Sequence, residues 1–310
     1  MSCDTCKKDK AIILRSKNKT KVCKSCFFNH FEEDIHDTII SSKMFKEDMT
    51  VGIGISGGKD STVLAFVLEK LNKQYNYKLK LVLLCVDEGI EGYRDFSINT
   101  VLENAKDLKL NLKIVSFDDM FKINMDSIVK NVGTKSNCTY CGIFRRQALE
   151  EAARKFKVDI IVTGHNADDM AETVLLNLIR GDYNRLIRCT QPVTNKQLIN
   201  NDFCLSLPRA KPFKYTYQKE IVLYAFHKKL NYFSTECTYA PESSRGYVRN
   251  FLKELEKIDS SIILKIIKCG DMFQNTKENA FNVFKCINCS HPTSSKNKIC
   301  KGCSLIELLK

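Results

Sequence analysis

Long apolar segments are missing from this sequence. Its longest uninterrupted runs, such as LVLLCV at 81–86, are far shorter than the roughly 20 residues that a membrane-spanning helix needs. The opening residues, MSCDTCKKDK, are polar and charged, so the apolar core of a secretory signal is also missing. We therefore expect a cytoplasmic protein with no membrane partner.

A second absence concerns the stretch VGIGISGGKDS at 51–61. A Walker A loop requires glycine five residues before Gly58 and Ser or Thr after Lys59, but the sequence has Ile53 and Asp60 there. This excludes a standard P-loop NTPase. The residues do fit the S-G-G-x-D-S pyrophosphate loop of enzymes that split ATP into AMP and pyrophosphate.

The composition of this loop suits a bound phosphate. Two glycines allow a tight turn, the helix predicted at 62–71 offers its positive end, and the lysine supplies a full charge. The alternative is a glycine-rich turn that connects a strand to a helix and binds no ligand. Because the whole pattern fits, we predict that ATP binds to Ser56, Gly57, Gly58, Lys59, Asp60 and Ser61.

Apolar runs alternate with helical patterns in the middle of the chain. Strands are predicted at 51–55, 79–86, 112–117 and 159–163, and helices at 62–71, 94–108, 144–156 and 170–179. This alternation indicates an α/β fold with a doubly wound parallel sheet, in which ligands bind at the carboxyl ends of the strands. The loops VDEGI and TGHNADD follow two of these strands, which adds Asp87, Gly164, His165 and Asp169 to the predicted ATP site.

Charge and cysteine content limit the partners. Lys and Arg outnumber Asp and Glu by 49 to 36, which gives a net charge of +13. Such a surplus favours a nucleic-acid partner, although a solvated basic surface is the alternative. Fifteen cysteines in a cytoplasmic protein are expected to serve as metal or redox ligands rather than disulfides.

Eight of these cysteines form two quartets at the ends of the chain. The first has the spacing C-x2-C-x16-C-x2-C and the second C-x2-C-x10-C-x2-C, both typical of structural zinc sites. We predict two zinc ions, with His30 as a possible substitute ligand in the first site. The ligands are Cys3, Cys6, Cys23 and Cys26, and Cys286, Cys289, Cys300 and Cys303.

The quartets define a domain organisation. We expect an N-terminal zinc-binding module at 1–35, a pyrophosphate-loop catalytic domain with a C-terminal helical part at 36–280, and a C-terminal zinc-binding module at 281–310. One further pair, Cys138 and Cys141, lies just before a predicted helix and has no second pair to join. A catalytic disulfide, a third zinc ion and an incompletely ligated iron-sulfur cluster all remain open.

The motifs SGGKDS, CTYCGIFRRQAL, TGHNADDMAETVLLNLIRGD and YFSTECTYAPESSRGYVRNFLKELE occur in this order between the quartets. In this arrangement the sequence resembles the cytoplasmic tRNA 2-thiolation protein 1 family over nearly its whole length. The resemblance implies an adenine nucleotide alpha hydrolase-like domain. It also implies an enzyme that uses ATP and Mg²⁺ to adenylate the 2-oxygen of the wobble uridine in the tRNA anticodon loop and then replaces that oxygen with sulfur.

The same resemblance implies a sulfur donor, a cluster and partners. The donor is a thiocarboxylated ubiquitin-like modifier, and the expected assembly is a homodimer or a complex with a paralogous subunit. Cys138, Cys141 and Cys237 match the three cysteines that hold a 4Fe-4S cluster in relatives, although a persulfide route would use the same cysteines. We assign all three to catalysis.

One position departs from some bacterial relatives, which have a catalytic lysine where this chain has Arg145. Arginine keeps the charge but does not transfer protons at neutral pH. We therefore predict that Arg145 stabilises negative charge and that Asp168 is the acid or base. The alternative for Asp168 is that it only caps a helix.

Basic residues cluster around the motifs and are predicted to contact tRNA phosphates. They are Arg146, Arg180, Arg185, Arg245 and Arg249. Two alternative functions are a tRNA 2-thiocytidine synthetase, whose chains do not ordinarily carry two terminal zinc quartets, and a non-catalytic zinc-dependent tRNA-binding scaffold. The intact SGGKDS loop argues against the scaffold.

Overall fold

The structure is a computed structural model. It describes residues 1–133, 137–194, 197–199, 203–235, 237–239, 244–273 and 284–309. Strands and helices follow one another along the chain in this order: β1 (Ile13–Leu14), β2 (Lys21–Val22), α1 (Lys24–Ser41), β3 (Thr50–Gly54), α2 (Lys59–Gln74), β4 (Lys80–Asp87), α3 (Arg94–Leu108), β5 (Asn111–Ser116), α4 (Phe117–Phe121), α5 (Met125–Val132), α6 (Asn137–Lys155), β6 (Ile160–Val162), α7 (Ala167–Ile179), α8 (Tyr183–Thr190), β7 (Gln197–Ile199), β8 (Phe203–Ser206), β9 (Arg209–Ala210), α9 (Gln218–Lys228), α10 (Ser244–Ile258), α11 (Ile262–Met272), β10 (Phe284–Lys285), β11 (Pro292–Thr293) and α12 (Lys301–Glu307).

A five-stranded parallel sheet forms the centre of the molecule. Its strand order is β5-β4-β3-β6-β9, and every neighbouring pair runs in the same direction. The chain moves outward from β3 through β4 to β5 and then returns to the other side of β3 with β6. This reversal between β3 and β6 is the switch point where doubly wound sheets bind ligands, and it confirms the predicted fold class.

The four predicted strands correspond to β3, β4, β5 and β6, whereas β9 was not predicted. With two residues, β9 is too short to produce a periodic pattern. The hairpin of β7 and β8 was not predicted either.

Three helices begin earlier than the sequence predicts. Helix α7 starts at Ala167 rather than at 170. Helix α2 starts at Lys59 rather than at 62, so the last residues of the loop already form its first turn. Helix α6 starts at Asn137 rather than at 144. The expectation that Cys138 and Cys141 precede the helix is therefore wrong: three residues apart, they lie on one face of its first turns.

The terminal modules pack directly on the central domain. Helix α1 begins beside the first cysteine quartet and continues to Ser41, past the expected boundary at 35. The Arg15 side chain, 3% exposed, donates hydrogen bonds to Glu220 of α9 and to Asp34. At the other end, α12 packs against α6. Within the described ranges, no helix has the length and apolar character needed to cross a membrane.

Candidate active site

A cavity of about 280 Å³ lies at the carboxyl ends of β3 and β6. Seven of the ten predicted ATP-binding residues line it: Ser56, Gly58, Asp60, Ser61, Gly164, His165 and Asp169. Gly57, Lys59 and Asp87 are not part of its lining. Glu88, Arg145 and Arg245 complete the polar part of the wall.

The loop between β3 and α2 holds its shape through its own polar groups. Ser61 Oγ accepts a hydrogen bond from the Ser56 amide at 3.1 Å and donates one to the Gly58 carbonyl at 3.0 Å. Gly57 has a φ of +75°, and a Cβ atom there would lie 2.8 Å from the Ser97 carbonyl oxygen. Only glycine fits this position. Helix α2 begins directly after this glycine pair, and the free amides in the first turn of a helix can bind an anion.

A second helix begins beside the first one. Asn166 caps α7 in a reciprocal arrangement with Asp169, and its Nδ2 atom donates to Asp60 Oδ1 at 3.1 Å. Burial raises the pKa of Asp60, and the negative charge of Asp169 raises it further. Two neighbouring carboxylates at a phosphate-binding loop can hold a magnesium ion between protein and nucleotide.

The sequence predicts Asp87 as an ATP-binding residue, but Asp87 and its neighbour Glu88 have different positions in the structure. Asp87 Oδ2 lies 2.7 Å from Arg94 Nη2, and its Oδ1 accepts a hydrogen bond from the Gly89 amide. Asp87 thus fixes the loop after β4. The next side chain, that of Glu88, faces the cavity instead.

Arg145 connects the cavity to a cysteine. Its Nε atom lies 2.6 Å from Glu88 Oε1, and its Nη2 atom donates to the Cys141 sulfur at 3.4 Å. Burial raises the pKa of Cys141 to about 11, although the positive charge of Arg145 opposes this shift. The guanidinium is therefore the nearest charge that can favour a thiolate at this position.

Cys138 and Cys237 lie near Cys141. Cys141 and Cys237 pack against the same apolar cluster, which includes Tyr140 and Phe144. The segment 237–239 is attached to α6 because Asn137 Nδ2 donates to the Tyr239 carbonyl at 3.2 Å. Both aromatic residues are buried.

Asp168 lies outside the cavity. Its Oδ2 atom accepts a hydrogen bond from the Gln218 amide at 2.8 Å, at the start of α9. Burial raises its pKa to about 6. Asp168 therefore caps a neighbouring helix, whereas the adjacent Asp169 lines the cavity.

Each terminal quartet brings its sulfur atoms together. Among the described residues, these two quartets are the groups in which three or more potential ligand atoms lie within 4.8 Å of one another. The Cys6–Cys23 and Cys286–Cys303 sulfur distances are both 3.8 Å. Sulfurs bound at about 2.3 Å to a tetrahedral zinc ion lie roughly 3.8 Å apart, so both quartets fit zinc. His30 instead contacts Thr5 through its Nε2 atom.

Four of the five predicted tRNA-binding arginines fall into two groups. Arg146 and Arg185 are close enough to each other, and to Arg209, for their charges to lower the pKa of Arg146, although burial is the main cause. Arg245 and Arg249 both pair with Glu172, which is 2% exposed. Arg180 ends α7.

Sequence reasoning missed Glu88, Asn166 and Glu172. The position of Glu88 directly after a strand and the N-x-x-D spacing of Asn166 and Asp169 were available signals. Glu172 lacks such a signal, because its two arginine partners are more than 70 residues away in the chain.

Comparisons with known proteins agree with this geometry. The model of the PP-loop domain family matches residues 28–256. Two relatives are both called cytoplasmic tRNA 2-thiolation protein 1. The one from Dictyostelium discoideum is 51% identical over 99% of this chain and 83% of its own length, and the one from Danio rerio is 50% identical over 99% and 88%.

Among solved structures, the U34-tRNA thiolase NcsA from Methanococcus maripaludis, described with its 4Fe-4S cluster, has a TM-score of 0.82 and 29% identity. The match covers 98% of this chain and 95% of that one. The fold and the cavity thus define a PP-loop protein, in the same structural class as this thiolase. More particularly, the chain belongs to the cytoplasmic tRNA 2-thiolation protein 1 family. The predicted family is confirmed, and the predicted enzyme class, a tRNA sulfurtransferase, agrees with these relatives.

Proposed function

We propose that this tRNA sulfurtransferase makes 2-thiouridine at the wobble position, U34, of tRNA. Thiolation of tRNA follows from family membership, and the position is that printed for the U34-tRNA thiolase. The observation that carries the proposal is the hydrogen bond from Arg145 to Cys141. It places a cysteine next to the cavity in which ATP would be split.

The first step activates the uridine. ATP binds with its phosphates at the start of α2, and Asp60 would hold Mg²⁺ against them. The uridine 2-oxygen attacks the α-phosphorus, the bond to the β-phosphate oxygen breaks, and pyrophosphate leaves. We transfer the acid or base role from Asp168 to Asp169 because Asp169 lines the cavity.

The second step exchanges oxygen for sulfur. A sulfide equivalent adds to the activated carbon, the carbon–oxygen bond breaks, and AMP departs with the former uridine oxygen. Arg145 stabilises the negative charge on the incoming sulfur or the departing phosphate. A thiocarboxylated ubiquitin-like carrier supplies the sulfur and becomes a carboxylate by taking up water. Sulfur keeps its oxidation level throughout, so the reaction consumes no oxidant.

Cys138, Cys141 and Cys237 would hold the 4Fe-4S cluster. Three thiols, of which Cys141 and Cys237 are partly buried against an apolar cluster and Cys138 is exposed, fit such a group. That the three sulfurs do not gather within 4.8 Å suits a cluster, in which each thiolate binds a different iron atom, better than a single ion. When bound, the cluster supplies an iron with an open position for a sulfur atom.

The other proposed partners depend on charge and on the relatives. The wobble uridine would approach along Arg146 and Arg185, and binding of tRNA would weaken steeply with salt. We propose two structural zinc ions at the quartets, a cytoplasmic location as in the names of the relatives, and assembly as a homodimer or with a paralogous subunit.

Nucleoside mass spectrometry tests the proposal. Cells lacking their own thiolase receive the intact chain or its Asp60→Ala variant, and their tRNA is digested and analysed. We expect 2-thiouridine with the intact chain only. Formation of 2-thiocytidine instead would identify the alternative synthetase. If neither nucleoside forms and purified protein with tRNA yields no AMP from ATP, the scaffold alternative replaces the proposal.

A further inference from the structure

Helix α6 carries a residue that contacts the C-terminal cysteine quartet. Gln147 Nε2 donates a hydrogen bond to the Cys300 sulfur at 3.3 Å. The same helix carries Cys138, Cys141 and Arg145. A single rigid element therefore joins the C-terminal quartet to the side chains of the proposed chemistry.

The amide group of Gln147 lies directly against Gly302 of α12. A Cβ atom on Gly302 would collide with Gln147 Oε1 and would lie 2.6 Å from its Nε2 atom. Three residues further along α12, the buried Leu305 packs in the same apolar cluster as Tyr140 and Phe144 of α6. Both the polar and the apolar contacts of α12 thus hold the first half of α6.

We propose that Gln147 is a positioning residue through which the C-terminal metal centre fixes helix α6, and with it Cys141 and Arg145, at the cavity. Hydrogen bonds to metal-bound thiolates orient the ligands, and their loss typically lowers metal affinity about 10- to 100-fold. The coupling works in both directions, because a linkage between two sites is reciprocal.

The first experiment measures metal release from the full-length, zinc-loaded protein with a coloured chelator. The two quartets give two phases, of which the N-terminal one is an internal control. We expect Gln147→Met to accelerate one phase about 10-fold, and Gln147→Glu, which keeps the shape but loses the donor and adds a negative charge, to accelerate it more. Glu151→Gln, an exposed change one turn later, is the matched control and leaves both phases unchanged.

Two results would overturn the proposal here. If Gln147→Glu releases zinc as slowly as the unchanged protein, the glutamine acts by shape and not as a donor. If both phases accelerate equally, the substitution destabilises the whole chain and the coupling is not specific.

The second experiment follows amide hydrogen exchange in α6. Cys289→Ser removes the C-terminal metal, whereas Cys6→Ser removes the N-terminal one. We expect exchange in α6 to become about 10-fold faster with Cys289→Ser and with Gln147→Met, and to stay unchanged with Cys6→Ser. Unchanged exchange in both of the first two variants would contradict the coupling.

A third experiment measures activity and rests on the proposed function. The metal-release and amide-exchange experiments do not depend on that function. With tRNA and ATP, Gln147→Met should lower kcat severalfold and leave the KM for ATP unchanged, because the loop at 56–61 belongs to β3 and α2 and not to α6. If thiolation is undetectable even in the unchanged protein, the proposed function fails while the metal and exchange results still decide the coupling. An unchanged kcat in the presence of faster exchange would reject the positioning role.

Discussion

The terminal cysteine quartets and the three central cysteines differ in how the chain assembles them. Each quartet comes from one short segment, at 3–26 or 286–303, and its sulfurs lie within 4.8 Å of one another. Cys237 is almost 100 residues from Cys141 and reaches it through tertiary contacts such as the one between Asn137 and Tyr239. Local sites suit a structural ion, whereas the central site depends on the whole fold and remains next to the cavity.

The electrostatic environment of Cys141 also depends on the fold around it. A buried thiol with a pKa of about 11, as at Cys141, is protonated at neutral pH. This value already includes the opposing positive charge of Arg145. A thiolate at this position therefore needs further positive charge, such as that of a bound metal ion.

The largest expected effect comes from Cys141→Ser. We expect tRNA thiolation to fall on the order of 10³-fold or more, because a group that acts in the chemistry cannot be replaced by a hydroxyl. Zinc content should remain at two ions per chain, measured by metal analysis alongside nucleoside mass spectrometry. Loss of a zinc ion in this variant would contradict the separation of the central cysteines from the terminal quartets.

The reverse pattern is expected for Cys6→Ser. Losing a ligand of the N-terminal quartet should leave one zinc ion per chain and lower the Tm by roughly 5 °C or more, since structural zinc binding contributes directly to folding. Cys138→Ser is the matched control and should leave the Tm unchanged in protein without a cluster. Equal shifts in thermal denaturation of the two variants would contradict this prediction.

The Glu88→Gln variant tests whether the central site depends on the ion pair between Glu88 and Arg145. The amide keeps the size of the side chain but removes the charge that holds Arg145, so we expect kcat to fall roughly 10- to 100-fold. Glu91→Gln, at an exposed position of the same loop, serves as control. If single-turnover thiolation proceeds at the normal rate in Glu88→Gln, Arg145 does not depend on this ion pair.

Asp168→Asn gives the smallest effect and concerns stability. Because the pKa of Asp168 rises from its ordinary 3.8 to about 6 on folding, the folded state binds more protons than the unfolded state between these values. The contribution of Asp168 to stability is therefore lost as pH rises through this window. Asparagine has no charge to bury, so the variant should be more stable by ~1–2 kcal/mol at pH 7.5 and nearly equal to the unchanged protein near pH 4.

Urea unfolding at several pH values measures this difference. The thiolation rate of Asp168→Asn should stay within about twofold of normal, since its carboxylate caps α9. A fall of 100-fold at unchanged stability would return the acid or base role to Asp168 and remove it from Asp169.

Much of the fold and part of the site could be predicted from local patterns. Apolar runs predicted the four longer strands of the sheet. The position of the loops after these strands predicted that Ser56, Asp60 and Asp169 lie around one cavity. The choice between Asp168 and Asp169 could not be made, because adjacent residues at a helix start point in different directions that depend on the neighbouring element. Pairs such as Glu172 with Arg245 arise only when distant helices pack.

The buried Arg15 has a consequence for how such a chain can change over evolution. Its guanidinium lies 2.7 Å from the Glu220 carboxylate, which is itself 3% exposed. The PP-loop match begins at residue 28. A recombination event that replaced the segment before this residue, and with it Arg15, would leave Glu220 as an unpaired buried charge. The loss of such a partner costs about 3–5 kcal/mol. The segment with the first cysteine quartet and helix α9 must therefore be inherited together, although Arg15 and Glu220 are 205 residues apart in the sequence.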